Sequence, residues 1–459
     1  MQPERRDSVD DTDGLKPLVV SLLAKIDELL SQITKLNARI AELEAHNGRP
    51  PKTSTNSSLP PSSGQKADAG SVATDEKSRK GRPGVARELA ANPDVTRDIF
   101  ADRCTCGATL AAAEQEIAHA YDRIDLPVIR SITTRINLRR ATCGCCRKRV
   151  TAKPPADMPI GSPFGPGIVA TVTYLHGSQM VSYARMTEAL EGLFGLKISE
   201  GAIANMLARA AVPFAAKAAE IAEIVRTSPV IASDETSARV KGKTHWQWTF
   251  LAKTAVLHRI APTRGKIVPV EFLGAAKPNV WLSDRYAGQG KLGTAHQYCL
   301  AHLIRDAQYA IDAGDTIFAP GFKAFMQEAC AVGRRRPDLA DATIEAHARR
   351  LKRELDRLLD LEPTQLDGRK LRDAIFVDAR DKLLVFLTRR DVEPTNNESE
   401  RALRPSVIFR KVTNGFRSDW GAKVYADFCS IVATGRIQGR SPLAAIRAAL
   451  APVAAAATA

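Results

Sequence analysis

The stretch "SPVIASDET" at positions 228–236 decides the fold, because it reads as a short apolar strand that ends in Asp234. A second stretch, "NVWLSDRYAG" at 279–288, predicts another apolar strand, which ends in Asp284. Short apolar runs bounded by turn residues are typical of strands buried in a sheet. The two stretches therefore predict strands of one sheet that each present a carboxylate at the same edge.

The residues between these stretches predict the rest of the sheet. "HWQWTFLAK" (245–253) alternates as a half-buried strand, and "AVLHRIAP" (255–262) reads as a third strand. "GKIVPVEFLG" (265–274) predicts the helix that precedes the fourth strand. Residues 296–390 read as mostly helical, with acidic and basic side chains one helical turn apart. This order of elements predicts an α/β domain with a mixed sheet.

The stretch "EPTNNESERALRP" at 393–405 predicts the start of a helix with two carboxylates. Thr395 and Glu398 have the spacing of a capping box, in which each side chain accepts a hydrogen bond from the other residue's backbone N–H. Glu400 projects about 200° away from Glu398 around the helix, because each residue turns the helix by about 100°. Glu400 is therefore available for another role, and Asn396, on the same face, is expected to orient it.

Asp234, Asp284 and Glu400 together form a predicted catalytic set. Clustered carboxylates repel one another, so they persist only where cations are bound. Hard oxygen ligands select Mg²⁺ or Mn²⁺. Two such ions about 4 Å apart would activate a water or a 3′-hydroxyl in phosphodiester chemistry. The alternative is that each acid is an ordinary surface charge.

The chain has 459 residues and a formal net charge of +15. This length predicts roughly three domains. A strong positive charge favours a nucleic-acid partner, although solvated lysine and arginine would give the same balance. No apolar run is long enough for a membrane span, and the first residues lack the apolar core of a signal peptide. We therefore expect a cytoplasmic, nucleoid-associated protein with reduced cysteines.

The N-terminal part predicts a helix followed by a linker. Residues 15–46 predict a coiled-coil dimerisation helix, because valine or isoleucine alternates with leucine at spacings of three and four. The alternative is an amphipathic helix packed on its own domain. Residues 47–94 are rich in Pro, Ser and Gly and predict a flexible basic linker. Three of its cations are expected to contact DNA phosphates: Lys77, Arg79 and Lys80.

Residues 95–155 predict a small zinc-knuckle-like segment. Cys143 and Cys146 have the usual knuckle spacing, whereas Cys104 and Cys106 are one residue closer than usual. We expect these four thiols to bind Zn²⁺, and the alternative is a degenerate knuckle whose thiols are only buried.

The remaining sequence predicts the domain order. Residues 160–226 predict a helical DNA-binding region in which a second helix begins after Ser199 as its N-cap. This outline fits a helix-turn-helix, and a plain helical hairpin fits equally well. A catalytic domain is expected at 228–440, with a helical insertion at about 310–390. Residues 441–459 predict a C-terminal helical tail.

A series of motifs resembles the bacterial transposases of the insertion-sequence-sixty-six family over nearly the whole chain. In order they are "PPKTSTNSSLPPS", the two cysteine pairs, "SDET", "LSDRYAG", "YCLAHLIRD", "TNNESERALRP" and "FRKVTNGF". The resemblance implies a ribonuclease-H-like catalytic domain with an Asp-Asp-Glu triad. The triad carries over to Asp234, Asp284 and Glu400, the last directly before Arg401. The resemblance also implies two small accessory proteins encoded beside the large one.

Further residues take expected roles from the same resemblance. Related transposases have a Cys-x-x-His after the second aspartate, here Cys299 and His302, which implies a bracing role, with binding of DNA or a metal as alternatives. The family usually has glycine after the second aspartate, where this chain has Arg285. Three cations of the closing motif are expected to contact DNA: Arg410, Lys411 and Arg417.

The predicted function is DNA transposition. Such an enzyme would bind the ends of its element as a homodimer or higher oligomer, cleave a strand and join the freed 3′ end to target DNA. One alternative is a nuclease with the same triad that cuts and does not join. Another is an inactive DNA-binding repressor derived from a transposase.

Overall fold

The computed structural model describes residues 20–36, 50–57 and 87–451. The chain divides into two compact units. The sheet unit contains the described residues of Met1–Lys66, Pro163–Val181 and Ala204–Ala459, and the cysteine unit contains those of Ala67–Ser162 and Ser182–Ile203. The predicted helical region 160–226 is thus divided between the units, which differs from the predicted boundary. None of the helices in the described parts of the chain is long and apolar enough to cross a membrane.

The strands form two sheets. They are β1 (Arg140–Thr142), β2 (Arg149–Thr151), β3 (Val230–Val240), β4 (Lys243–Leu251), β5 (Val256–Ala261), β6 (Val280–Ser283) and β7 (Ala295–Tyr298). In the cysteine unit β1 and β2 form an antiparallel hairpin. In the sheet unit five strands follow the order β5-β4-β3-β6-β7. Antiparallel pairing joins β3, β4 and β5, whereas β3, β6 and β7 run parallel.

The four strands predicted from the sequence are all present, and the structure adds a fifth. β7 lies where the sequence predicted helix from residue 296 onward, so that prediction is wrong at this point. A strand of four residues is too short for alternation to appear in its sequence. Its pairing with β6 extends the parallel part of the sheet beside Asp284.

The described residues also form helices, most of which belong to the sheet unit. They are α1 (described over 20–36), α2 (Pro166–Gly177), α3 (Tyr183–Phe194), α4 (Glu200–Arg226), α5 (Ile267–Leu273), α6 (Leu300–Asp312), α7 (Ala319–Arg335), α8 (Asp341–Leu359), α9 (Leu366–Ala374), α10 (Asn397–Thr413), α11 (Asp419–Ile437) and α12 (Pro442–Leu450). Helices α7 to α9 lie where the helical insertion was predicted. The Ser199 hydroxyl accepts a hydrogen bond from the Ala202 N–H at 3.2 Å, so Ser199 caps α4 as predicted.

Two hydrophobic clusters form the core of the sheet unit. One is formed mainly by α6 to α9. The other joins the sheet to α2, α4, α11 and α12 and buries Trp248, Phe250 and Trp281 completely. The Phe250 and Phe272 rings stack at 4.3 Å, and large aromatic side chains of this kind contribute much of a core's buried apolar area. The strands that carry the predicted site therefore have a packed core against them.

The two described N-terminal segments, residues 20–36 and 50–57, contribute no residue to these hydrophobic clusters. Every described residue of α1 is exposed, including Ile33 and Leu36 at 51% and 62%, so its predicted coiled coil stays a prediction. In the predicted flexible linker, Asn56 is only 4% exposed. Its side-chain amide donates to Asp312 Oδ2 at 2.8 Å, so this part of the chain is anchored on α6, which differs from the predicted flexible linker. Lys77, Arg79 and Lys80 lie outside the described residues.

The start of α10 differs from the predicted capping box. The helix begins at Asn397 with Asn396 as its N-cap residue, and no side chain caps it. The capping box of Thr395 and Glu398 is therefore wrong. The side chain of Asn396 instead donates to the Ser233 carbonyl of β3 at 2.7 Å. A long-range contact, rather than local capping, thus sets where α10 begins.

Candidate active site

The register of the sheet aligns the two aspartates. The parallel pairing of β3 and β6 ends at Ala232 and Leu282. Continuing this register by two residues puts Asp234 opposite Asp284, where the two strands separate. Asp284 directly follows β6, as predicted, but Asp234 lies inside β3, which continues to Val240. The prediction that Asp234 ends its strand is wrong. Asp234 instead lies two residues beyond the point where the parallel pairing of β3 with β6 ends.

Glu400 reaches this position through Asn396. Glu400 lies in the first turn of α10, and its N–H donates to the Asn396 carbonyl at 3.2 Å. The Asn396 side chain binds β3 next to Asp234. The backbone N–H of Asn396 donates to Cys299 Sγ at 3.1 Å. The bond between Glu400 and Asn396 is an ordinary helical backbone bond, so the predicted orienting of Glu400 by the Asn396 side chain stays a prediction. The contacts of Asn396 attach the first turn of α10 to β3 and to the start of α6.

The electrostatics of Asp234 indicate that the three carboxylates are neighbours. Burial raises the pKa of Asp234 well above its usual range. The negative charges of Glu235, Asp284 and Glu400 raise this pKa further, against one hydrogen bond from the Glu235 backbone. A buried carboxylate beside like charges is unfavourable unless a cation compensates it.

The donor set fits a hard divalent cation. Asp234 Oδ1 accepts from the Glu235 N–H at 2.9 Å, and Asp284 Oδ1 accepts from the Tyr286 N–H at 3.0 Å. Glu400 Oε1 is buried and accepts no hydrogen bond from the described residues. Carboxylate oxygens are the ligands that Mg²⁺ and Mn²⁺ prefer. These oxygens therefore have the chemistry that such a cation takes, although His302 and Arg305 also lie beside Glu400 and the oxygens of the three acids do not all lie within 4.8 Å of one another.

A network behind the site was missed by the sequence analysis. The Glu235 side chain, 1% exposed, lies 2.7 Å from the Arg264 guanidinium and accepts from Gln289 Nε2 at 2.6 Å. The Arg264 guanidinium in turn lies 3.9 Å from the centre of the Tyr286 ring. Burial, and then the charge of Asp284, raise the pKa of Glu235 although Arg264 and Gln289 lower it. This network supports the backbone on both sides of the aspartates.

The Cys-x-x-His pair lies beside Glu400. Cys299 is the N-cap residue of α6 and is 1% exposed. Burial raises the pKa of its thiol to about 11. His302 Nε2 lies 3.7 Å from Glu400 Oε1, and the Arg305 guanidinium lies 4.0 Å from Glu400 Oε2. One face of α6 therefore packs against the carboxylate of Glu400.

The basic residues near the site differ in their contacts. Arg285 pairs with Asp306 at 3.0 Å, so its charge is partly compensated within the protein. Arg410 donates to the carbonyl and the hydroxyl of Ser237 in β3, which gives its guanidinium a structural contact. Arg401, Lys411 and Arg417 are exposed.

The four predicted zinc ligands lie in two separate turns. Cys104 accepts a backbone hydrogen bond from Gly107, and Cys143 accepts one from Arg147. Hydrogen bonds from Cys106 are the main cause that lowers the pKa of the Cys104 thiol. Hydrogen bonds from Cys146 lower the pKa of the Cys143 thiol in the same way. The two pairs do not form one cluster: among the described residues, the only such group of three or more metal-ligating side chains is Cys299, His302 and Glu400. Zinc binding by the two turns stays a prediction.

A comparison with protein families identifies the chain's relatives. Residues 161–424, more than half of the chain, match the family model described as "Transposase IS66 family". No curated protein matches the sequence. The matched residues include the whole sheet and all three carboxylates. The chain belongs to the IS66 family of transposases.

Proposed function

We propose that this chain is a DNA transposase with a ribonuclease-H-like catalytic domain and an Asp-Asp-Glu triad. It binds the ends of its insertion sequence, cleaves a strand and joins the 3′ end to target DNA. Asp234, Asp284 and Glu400 are its catalytic residues. The mixed sheet with helices around it, and the alignment of Asp234 with Asp284 where β3 and β6 separate, support this domain type.

One observation carries the proposal: Asp234 pairs with no cation among the described residues, although burial and the negative charges of Glu235, Asp284 and Glu400 raise its pKa. A structural role would place a cation or several donors against such a carboxylate, as Arg264 does for Glu235. A carboxylate without a cation partner, beside like charges and within a transposase family, fits a site for Mg²⁺ or Mn²⁺.

Each element has a positioning task. The Glu235 N–H orients Asp234, the Tyr286 N–H orients Asp284, and the start of α10 holds Glu400 against β3. Divalent ions bound by these acids would activate a water or a 3′-hydroxyl and neutralise the leaving oxygen. Cys299 and Asn396 keep α6 and α10 together, which fixes the direction from which Glu400 approaches.

The partners follow from charge and surface. A net charge of +15 favours DNA. Lys77, Arg79 and Lys80 of the linker and the exposed Arg417 are proposed to contact phosphates. The exposed apolar stripe of α1 is proposed to pair with a second copy, because joining two DNA ends needs two protomers. Accessory proteins and a nucleoid-associated, cytoplasmic location belong to the same proposal through the family.

Two alternatives predict different products. A nuclease with the same triad would cut DNA and leave the 3′ ends unjoined. A repressor derived from a transposase would bind DNA without cutting, and the presence of all three carboxylates speaks against it.

A strand-transfer assay separates these functions. The purified chain is incubated with uncut or pre-cut element ends and a target plasmid in Mg²⁺ or Mn²⁺, with Asp284→Asn as the inactive control. We expect joined products from the unmodified chain and none from the control. Cutting of uncut ends without any joining would establish the nuclease, and binding without either reaction would establish the repressor.

A further inference from the structure

Cys299, His302 and Glu400 form a second potential metal site beside the proposed triad. The sulfur, a ring nitrogen and a carboxylate oxygen of these residues all lie within 4.8 Å of one another. Cys299 and His302 come from the start of α6, and Glu400 comes from the first turn of α10. The sequence showed only the Cys-x-x-His pair, and two ligands do not close a site; the fold supplies the third ligand.

Two polar atoms at this site have no hydrogen-bond partner among the described residues. Glu400 Oε1 and His302 Nδ1 are both buried without a hydrogen bond from the described residues. His302 Nε2 faces Glu400 Oε1 at 3.7 Å, which is too long for a hydrogen bond. Two ligands on one tetrahedral zinc, each about 2.0–2.2 Å from the ion, lie about 3.4 Å apart. The observed separation is therefore close to that of two atoms that share one ion.

The donor types select a different ion from the one the triad prefers. Sulfur, imidazole nitrogen and one carboxylate oxygen suit Zn²⁺, whereas Mg²⁺ prefers oxygen ligands alone. The Asn396 N–H donates to the Cys299 sulfur at 3.1 Å, and such a contact stabilises a thiolate against the burial that disfavours it. His302 and Glu400 retain 19% and 24% of their side-chain exposure, so an ion can enter from their side.

We propose that Cys299, His302 and Glu400 bind a Zn²⁺ ion that withdraws Glu400 from the triad and so inhibits the enzyme. As the sulfur–zinc bond forms, the Cys299 thiol releases its proton to solvent, His302 binds as neutral imidazole and Glu400 binds as carboxylate. One carboxylate cannot serve both ions in its catalytic geometry, so zinc and the catalytic cations compete for Glu400. The zinc binding stands on these contacts alone, whereas the inhibition rests on the proposed function.

Zinc content tests the binding directly. The full chain, Cys299→Ala and His302→Ala are each dialysed against buffered Zn²⁺, and bound metal is measured per chain. Cys330→Ala is the matched control, because Cys330 is also a buried cysteine but lies in α7, in the hydrophobic cluster of α6 to α9. We expect both site variants to bind one equivalent less than the parent and the control to equal the parent. Unchanged zinc content in both folded site variants would overturn the proposal.

The second measurement is zinc inhibition of cleavage in Mn²⁺ or Mg²⁺. His302→Ala should need at least about tenfold more Zn²⁺ than the parent or the Cys330→Ala control for half-inhibition. Equal inhibition of His302→Ala and the parent would overturn the competition for Glu400. If the parent cleaves no DNA even without zinc, the proposed function fails, and the zinc content still decides whether the site binds metal.

Discussion

In the sheet unit the proposed metal ligands stand on elements with a packed core, whereas in the cysteine unit they stand on exposed turns. Asp234 follows Ile231 and Ala232, which are 0% and 7% exposed. By contrast, all residues of β1 and β2 are exposed around the second cysteine pair. The same contrast separates α10, which packs on β3, from α1, whose apolar residues face outward.

This difference indicates which ion or partner each region needs in addition to its own chain. In the sheet unit the chain's own core holds the acids at the cost of unfavourable burial and repulsion, and a cation is needed only for their charge. In the cysteine unit and in α1 the chain leaves thiols and apolar side chains exposed, so a metal or a second copy would have to bring them together. The predictions below test this division, in order of decreasing effect.

Asp234→Asn gives the largest expected effect. It should reduce DNA cleavage by at least about 10³-fold, because a ligand of the catalytic cations is lost. In the metal-free protein it should raise the free energy of unfolding by about 1–3 kcal/mol, because a negative charge that burial and neighbouring acids disfavour is removed. Single-turnover cleavage and urea unfolding in a chelator measure the two effects. A less stable metal-free variant would contradict the claim that Asp234 is strained by its neighbours.

The next largest effect is expected on self-association, from the exposed apolar residues of α1. Replacing Ile33 and Leu36 together with asparagine should weaken self-association by about 10²-fold or more, because two apolar contacts of the predicted seam are lost. Sedimentation at several concentrations measures the change, and Lys35→Asn, an exposed position between the two, is the control. Equal association of the double variant and the control would show that α1 does not join protomers.

The raised pKa of Asp234 gives a pH dependence. Only the ionised carboxylate binds the catalytic cations, so cleavage should rise about tenfold per pH unit below this pKa and level off above it. In the metal-free protein the folded state holds the proton more tightly than the unfolded chain, whose value is about 3.9. The free energy of unfolding should therefore fall as pH rises from that value through the raised pKa. If the free energy of unfolding depends on pH in the same way in the parent and in Asp234→Asn, Asp234 is not the group that causes the pH dependence.

Chelation of zinc tests the cysteine unit. If Cys104, Cys106, Cys143 and Cys146 bind Zn²⁺, a chelator should speed amide exchange in β1 and β2 by about tenfold or more. The amides of β3 and β6 should keep their rates, because the core protects them. Hydrogen exchange with and without chelator measures both regions at once, and unchanged exchange in β1 and β2 would favour a degenerate knuckle.

Sequence could predict those parts of the site that lie within a short local pattern of apolar and polar residues. Apolar strands revealed Asp234 and Asp284, because alternation and apolar runs are visible within a few residues. The capping argument that favours Glu400 fails because its capping box does not form, so Glu400 stays a prediction that rests on the family resemblance. The bond from Asn396 to Ser233 crosses 163 positions of sequence, and no local pattern carries such information. The Arg264 contact of Glu235 and the anchor of Asn56 on α6 were missed for the same reason.

The most direct test of the central claim compares two glutamates in the same turn of α10. Glu398 and Glu400 share the first turn, so their replacement by glutamine alters the helix in nearly the same way. Single-turnover cleavage of element-end DNA is measured for Glu398→Gln and Glu400→Gln in Mg²⁺ and in Mn²⁺. We expect Glu400→Gln to lose at least about 10³-fold and Glu398→Gln to stay within about twofold, as for an ordinary exposed position. Loss of cleavage in Glu398→Gln with full activity in Glu400→Gln would contradict the assignment of the triad.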